Sequence, residues 1–243
     1  MEDSLRRVEL SERLQDLVLE NLGITRFLED LAVLSAGMIP GTADLQCGIT
    51  VQRRNMPATV AGSTIQARIL DEIQYRSEKG PGPHAIATGT PAVVGNVRTD
   101  RRWPECFSSV ADRGYSSILA VPLVLEPGDS GALTLYASEP GVFTPELISG
   151  VEDHARQGAK ALRITLRIAS HVSMTSNLKA AMESCTAIDL AVGIIMAQNH
   201  CTQSEAVEIL SCASSHRNIK LRDLAAKPIH SVSGATASTY FSA

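Results

Sequence analysis

The sequence predicts an α+β chain, an antiparallel sheet with flanking helices followed by a small all-α end of three helices. Three observations predict it. Short runs with strand composition and alternation recur between Leu45 and Leu135, separated by Gly, Pro and Asn clusters. Apolar residues at helical spacing dominate before Met38 and again after Pro145. Near the end, Thr202-Gln203-Ser204-Glu205 is a capping box, in which Thr202 accepts from the Glu205 amide while Glu205 reaches back. The expected divisions are an N-terminal helix (1–23), a sheet-containing domain with a connecting helix (24–169), a three-helix domain (170–230) and a flexible tail (231–243).

Composition narrows the function classes. The 243 residues are 44% hydrophobic and 20% charged, ordinary for a globular protein and enough to bury a core. A net charge of −4 gives no global pull toward nucleic acid or anionic membrane, so such binding must come from a local patch. No run reads as the ~20 apolar residues of a membrane span. The start, Met1 to Arg7, leads into no apolar core, so no secretory signal is expected. Five scattered cysteines without a Cys-x-x-Cys pair argue against a disulfide framework or a zinc site and fit a reducing cytoplasm.

Taken in order, Leu10 to Met38 carries helical periodicity, divided near Leu22-Gly23-Ile24-Thr25 with Thr25 as the cap of the second helix. Pro40-Gly41 ends it. Leu45–Arg53 and Ala58–Ala61 read as paired strands joined near Asn55. A helix over Ser63–Tyr75 follows, with Ile65, Ile69 and Ile73 in register. Gly80 to His84 is loop chemistry leading into a short helix through Ala87. Pro91–Val94, Ser117–Leu125 and Gly131–Ala137 are strands, with a helix before Gly114.

Pro145 opens a long helix whose stripe is Ile148, Val151, Ala155, Gly158, Leu162, Leu166 and Ala169. Helical spacing resumes after His171-Val172-Ser173 at Leu178, Ala181, Cys185, Ile188, Val192 and Ile195, alternating three and four as in a coiled-coil seam or a bundle core. The first of the three final helices ends near Gln198 to His200. The second turns Ala206, Ile209, Leu210 and Ala213 inward, and the third presents Leu221, Leu224 and Ala225 before Pro228 stops it.

Two resemblances follow from these residues. Gly82-Pro83-His84-Ala85, Gly89-Thr90-Pro91, Asp100 with Arg102-Trp103-Pro104, Ser117 to Leu123 and Gly131 to Tyr136 resemble, in order, the GAF domain. That likeness spans roughly Ile24 to Ala169 and implies a sensory module with a pocket under loops, without naming a ligand or cofactor. Ile188, Ala191, Gly193, Ile194, Ile195, Met196, Ala206, Asn218, Lys220, Leu221, Arg222, Asp223 and Ala225 resemble the ANTAR domain of bacterial transcription antiterminators. That likeness implies binding to RNA hairpins in a transcript leader. Thr186, Gln198, Asn199, Ser211 and Cys212 depart from it, standing where the family often carries a base.

Between Ser215 and Lys227 four Lys and Arg face one acid, Asp223, and the candidate RNA contacts are Arg217, Asn218, Lys220 and Arg222. Small Ala191 and Gly193 join them as RNA-binding candidates, since they let a neighbouring helix or a ligand backbone approach closely. At the pocket the candidates are His84, as a ligand contact or a rim histidine, and Trp103, as a stacking platform or a loop anchor. No metal set or catalytic constellation stands out, so the chain reads as a non-enzymatic regulator. The heptad stripe predicts a homodimer. Two other readings stay open: a protein-interaction regulator whose RNA surface has decayed, and a cysteine-dependent GAF-like reductase using Cys47 or Cys106.

Overall fold

Alternation along the strands builds the centre of the first unit. The computed structural model describes residues 12–20, 23–37, 45–54 and 56–233. The chain divides into two compact units, Met1–Ala169 and Ser170–Ala243. The first holds helix α1 (residues 12–20), α2 (Ile24–Ala36), strands β1 (Gln46–Gln52) and β2 (Thr59–Gly62), and helices α3 (Ile65–Ser77) and α4 (Pro81–Thr88). Then come β3 (Ala92–Val94), α5 (Pro104–Ala111), β4 (Ser117–Leu123), β5 (Ser130–Ala137) and the start of α6 (Pro145–Asn199). The five strands form one sheet in the order β2-β1-β5-β4-β3, and every pairing is antiparallel.

The two faces of this sheet differ in composition. Cys47, Ile49 and Val51 of β1, Leu119, Val121 and Leu123 of β4, and Leu133 and Leu135 of β5 point one way. They pack against Phe27, Leu28 and Leu31 of α2 and Val151, Ala155 and Leu162 of α6, which forms an apolar core. Gly158 lets α6 close on α2, since a Cβ there would meet the Leu31 side chain at 3.3 Å. The alternate residues Thr50, Thr134 and Tyr136 point the other way, toward α3, α4 and α5, and that face is polar at its centre.

The second unit comprises the end of α6, α7 (Gln203–Arg217) and α8 (Leu221–Ser233). Its core is Ala191, Val192, Ile195, Ala206, Leu210, Leu224 and Ala225. The capping box forms as the sequence predicts: Thr202 N donates to Glu205 Oε2 at 2.8 Å, and Glu205 N donates to Thr202 Oγ1.

Several expectations are corrected. Gly23, not Thr25, caps α2, and it does so without a side-chain bond. The segment after Gly80 is helix from Pro81 onward, because prolines at the first positions lack only amides that an α-helix leaves unpaired anyway. Ile65 is 70% exposed, and the buried face of α3 is Ala67, Leu70, Asp71 and Gln74. Helix α6 runs unbroken through His171 to Ser173, a stretch without Gly or Pro. Ile209 of α7 points outward. Pro228 lies inside α8, which reaches Ser233 and buries Ile229 one turn beyond Ala225. The predicted features at Pro40-Gly41 and Asn55, and the tail from 234, lie outside the described residues.

By length and composition α6 is also apolar enough to cross a membrane, against the sequence expectation. Its beginning and end are instead built into protein cores, through Val151 and Leu162 in the first unit and Val192 and Ile195 in the second. Between them Ile168, Val172, Met174, Leu178 and Met182 stand exposed.

Candidate functional site

Beneath α3 and α4 the sheet carries a cavity of about 260 Å³. Its floor is laid by paired strands: Thr50 stands opposite Ala132, and Gly48 opposite Thr134. The Asp71 carboxylate comes down from α3 and is 3% exposed. Tyr136 donates its hydroxyl proton to Asp71 Oδ1 at 2.6 Å, and Thr50 Oγ1 donates to Oδ2 at 3.0 Å. Thr134 bonds the same carboxylate. Gln74 extends the network, donating to Tyr136 Oη at 2.5 Å and accepting from the Gly82 amide at 2.9 Å.

Glycine makes room for this network. A Cβ on Gly48 would lie 2.5 Å from Asp71 Cγ, so only glycine lets the carboxylate reach the strand. Gly80, at φ 150°, gives the same clearance to the Gln74 amide.

The electrostatics are unusual for a carboxyl group. Burial pushes Asp71 up to about 7, against the opposite pull of hydrogen bonds from Tyr136, Thr50 and Thr134. Burial raises Tyr136 well above its ordinary value, and the Asp71 charge adds to the effect. No ion pair among the described residues includes Asp71, and neither Lys, Arg nor His lines the cavity. The apolar face holds a deeply buried imidazole, His154 of α6. The Ser35 hydroxyl proton goes to the Leu31 carbonyl at 2.6 Å, so His154 Nε2 donates to Ser35 Oγ at 2.8 Å. Nδ1 has no partner, and burial lowers the imidazole to about 4.

The two predicted pocket residues lie elsewhere. His84 is exposed on α4 and does not line the cavity. Its ring sits 5.3 Å from that of Trp103. Trp103 rests edge-on against Phe107 at 5.9 Å, with the Arg102 guanidinium 4.8 Å from its ring, so it anchors the loop before α5. Arg102 in turn bonds the Asp100 carboxylate, which it holds below the usual range, and the Val93 carbonyl. Cys47 and Cys106 lie in clusters on opposite faces of the sheet. Burial pushes Cys106 up to about 12 and Cys47 well above its ordinary value, so neither is a thiolate at neutral pH.

In the second unit the basic residues gather at the α7–α8 turn. Asn218 ends α7 in the left-handed conformation at φ 50°, rather than opening the third helix. Its amide donates back to Ser215, and Ser214 Oγ donates to the Ile219 carbonyl at 2.6 Å. The Lys220 carbonyl then accepts from Asp223 and Leu224 to start α8. This short, bonded turn displays Arg217, Lys220 and Arg222, all exposed. Arg222 meets Asp223 at 3.3 Å on an open surface, a weak pair that a stronger anion can displace. Arg217 and Lys227 also rim a cleft with Gln198. Ala191 is fully buried in the unit's core, which takes it out of reach of RNA. Gly193 is exposed, and a Cβ there would meet no atom of this chain within 4 Å.

Comparison with known proteins accords with this geometry. Residues 26–163 match the family model of the GAF domain, and residues 176–227 match that of the ANTAR domain. No curated protein matches the chain significantly. Among solved structures, the chain is similar to the N-acylhomoserine lactone dependent LuxR family transcription factor CepR2 from Burkholderia cenocepacia. The identity is 14% and the TM-score 0.50, over 68% of this chain and 98% of that one. It is also similar to the free methionine-R-sulfoxide reductase from Neisseria meningitidis, at 15% identity and TM-score 0.47, over 69% and 93% of the two chains. A GAF domain from an Acinetobacter phosphoenolpyruvate-protein phosphotransferase gives 14% and 0.46, over 65% and 92%. At such identities the likeness is one of fold.

Proposed function

This chain belongs to the GAF domain family and carries an ANTAR domain after its GAF domain, and on that premise we propose that it is a signal-responsive RNA-binding regulator of transcription antitermination. The GAF domain takes up a small-molecule signal, and the ANTAR domain reads an RNA hairpin in a transcript leader. The observation that carries the RNA half is the exposed set Arg217, Lys220 and Arg222, grouped at one turn with Asn218 between them. Lysine and arginine suit phosphate contacts, and Asn218 can donate to and accept from the edge of a splayed base. The cavity beside Asp71 supports the sensing half, since it is concave, partly apolar and supplied with converging polar groups. An RNA target implies a cytoplasmic protein.

A homodimer is part of the proposal. Ile168, Val172, Leu178 and Met182 are exposed on α6 at steps of four, six and four residues, and two copies can bury that stripe against each other. Pairing would also let one regulator hold two hairpins, so that modest affinities combine.

The experiment is capture of native transcripts by the purified chain, followed by titration of the captured leaders. Binding that requires an intact hairpin supports the reading. Failure to bind any structured RNA points to the protein-interaction regulator, for which the uncharged Thr186, Gln198, Asn199, Ser211 and Cys212 already speak.

A further inference from the structure

The chemistry of the GAF cavity is one-sided. Its charged lining groups are both acids, Asp71 at the floor and Glu78 exposed at the mouth. The remaining polar groups, Thr50, Gln52, Gln74 and Thr134, are neutral, and one wall is apolar along Pro83, Ile86 and Ala87. We propose that this cavity binds a small organic cation, an alkyl- or arylammonium or an amidinium, with its head group on the Asp71 carboxylate and its body along Pro83 and Ile86. The proposal rests on the reading of the GAF domain as a ligand sensor and names the class of ligand.

Three observations support it. Asp71 is 3% exposed yet has no protein cation beside it, so a bound cation completes an ion pair that the fold leaves half made. Its carboxylate accepts from Thr50, Thr134 and Tyr136, which holds both oxygens in fixed positions at the cavity floor. Gly48 and Gly80 have no side chain where one would displace Asp71 or Gln74, so the backbone itself is shaped around a polar floor. A leucine at position 71 would serve packing alone at least as well. The volume of about 260 Å³ leaves room for a compact amine. Anions are disfavoured by the same two acids.

Protonation sharpens the expectation. The titratable groups around Asp71 are Tyr136 from β5 and Cys106 from α5 on the same face, Cys47 of β1 on the far face of the sheet, and Tyr75 and Glu78 from α3 in the lining, while α4 contributes none to the lining. The two thiols and the Tyr136 phenol are raised and stay neutral between pH 6 and 8. With its carboxyl near 7, Asp71 is mostly protonated at pH 6 and mostly ionised at pH 8. A cation requires the ionised form, so its binding displaces the proton.

Calorimetric titration of the full chain with benzylammonium, benzyl alcohol and benzoate tests this. Benzylammonium is expected to bind about tenfold more weakly at pH 6 than at pH 8, releasing close to one proton at pH 6 as counted in buffers of different ionisation enthalpy. Asp71→Asn is expected to lose that binding and its pH dependence while keeping its circular dichroism. Should this variant not fold, the proton count on the wild type still decides. Binding of benzyl alcohol or benzoate in preference to benzylammonium, or cation binding without proton release, overturns the cation assignment and leaves the sensing pocket standing. No binding of any of the three overturns the assignment, and the pocket reading with it; RNA binding is measured independently of both.

Discussion

The GAF unit buries its distinctive polar residues, and the ANTAR unit displays them. Asp71, Gln74 and Tyr136 are at most 3% exposed, held by hydrogen bonds and by glycines that clear their way. Arg217, Lys220 and Arg222 stand in solvent at a tight turn. The difference teaches what each unit is built to recognise. A buried polar group is strong because water is excluded, which suits a small molecule that can be enclosed. A cation left in water loses little on contact with another hydrated, counterion-covered surface, which suits RNA. It also teaches where mutation changes stability: inside the first unit and hardly at all on this surface of the second.

The largest expected effects are at two buried groups of the GAF unit, Asp71 and His154. Asp71 stands near 7 when folded against an ordinary 3.8. Between those values the folded state keeps a proton that the unfolded state has lost, so this group's contribution falls as pH rises and levels off above 7. His154 stands near 4 folded against 6.5. There the unfolded state holds the extra proton, so stability rises with pH up to 6.5. From pH 4 to 6.5 the two oppose each other. Asp71→Asn is expected to gain a few kcal/mol at pH 8 and to show stability rising with pH over that window. His154→Gln, which retains a bond to Ser35, is expected to show the reverse slope. Urea unfolding at pH 4.5, 6 and 8 measures both, and identical profiles for the three proteins would break the comparison.

A smaller effect is expected on the exposed stripe of α6. Leu178→Asp, at a residue 59% exposed, should leave the fold intact and shift sedimentation from dimer to monomer at micromolar concentration. A wild-type monomer under the same conditions removes the dimer. The smallest effect on stability belongs to the basic turn: Lys220→Ala with Arg222→Ala should move the unfolding free energy by about 0.5 kcal/mol or less. A loss well above that would show the turn to be structural.

Much of the architecture was legible because its signals are local. Strand alternation marks β1, β4 and β5, and Thr202 with Glu205 marks the start of α7. The pocket was not legible, for a physical reason: Asp71 and Gln74 share a helix face with Ala67 and Leu70, while Ile65, Ile69 and Ile73 offer a more hydrophobic stripe that the fold leaves partly or largely exposed. Only Gly48 inside a strand hinted that something large was to approach it. His84 and Trp103 drew notice by residue type, yet their partners are each other, Phe107 and Arg102. Pro228 was read as a stop, whereas tertiary burial of Ile229 carries α8 past it. Ala191 was read as a contact because it is small, and small residues serve a helix core equally well.

The most direct test of the regulator reading is the salt dependence of RNA binding by the wild type and the Lys220→Ala, Arg222→Ala double variant, measured by fluorescence anisotropy on a captured hairpin leader. If Arg217, Lys220 and Arg222 each neutralise a loop phosphate, log affinity should fall against log salt with a slope of about −2 for the wild type, at roughly −0.7 per contact, and about −0.7 for the variant. The variant should also bind more weakly at low salt with unchanged helical circular dichroism. Equal affinity and equal slope in the two proteins would contradict the account, because the surface assigned to RNA would then not be touching it.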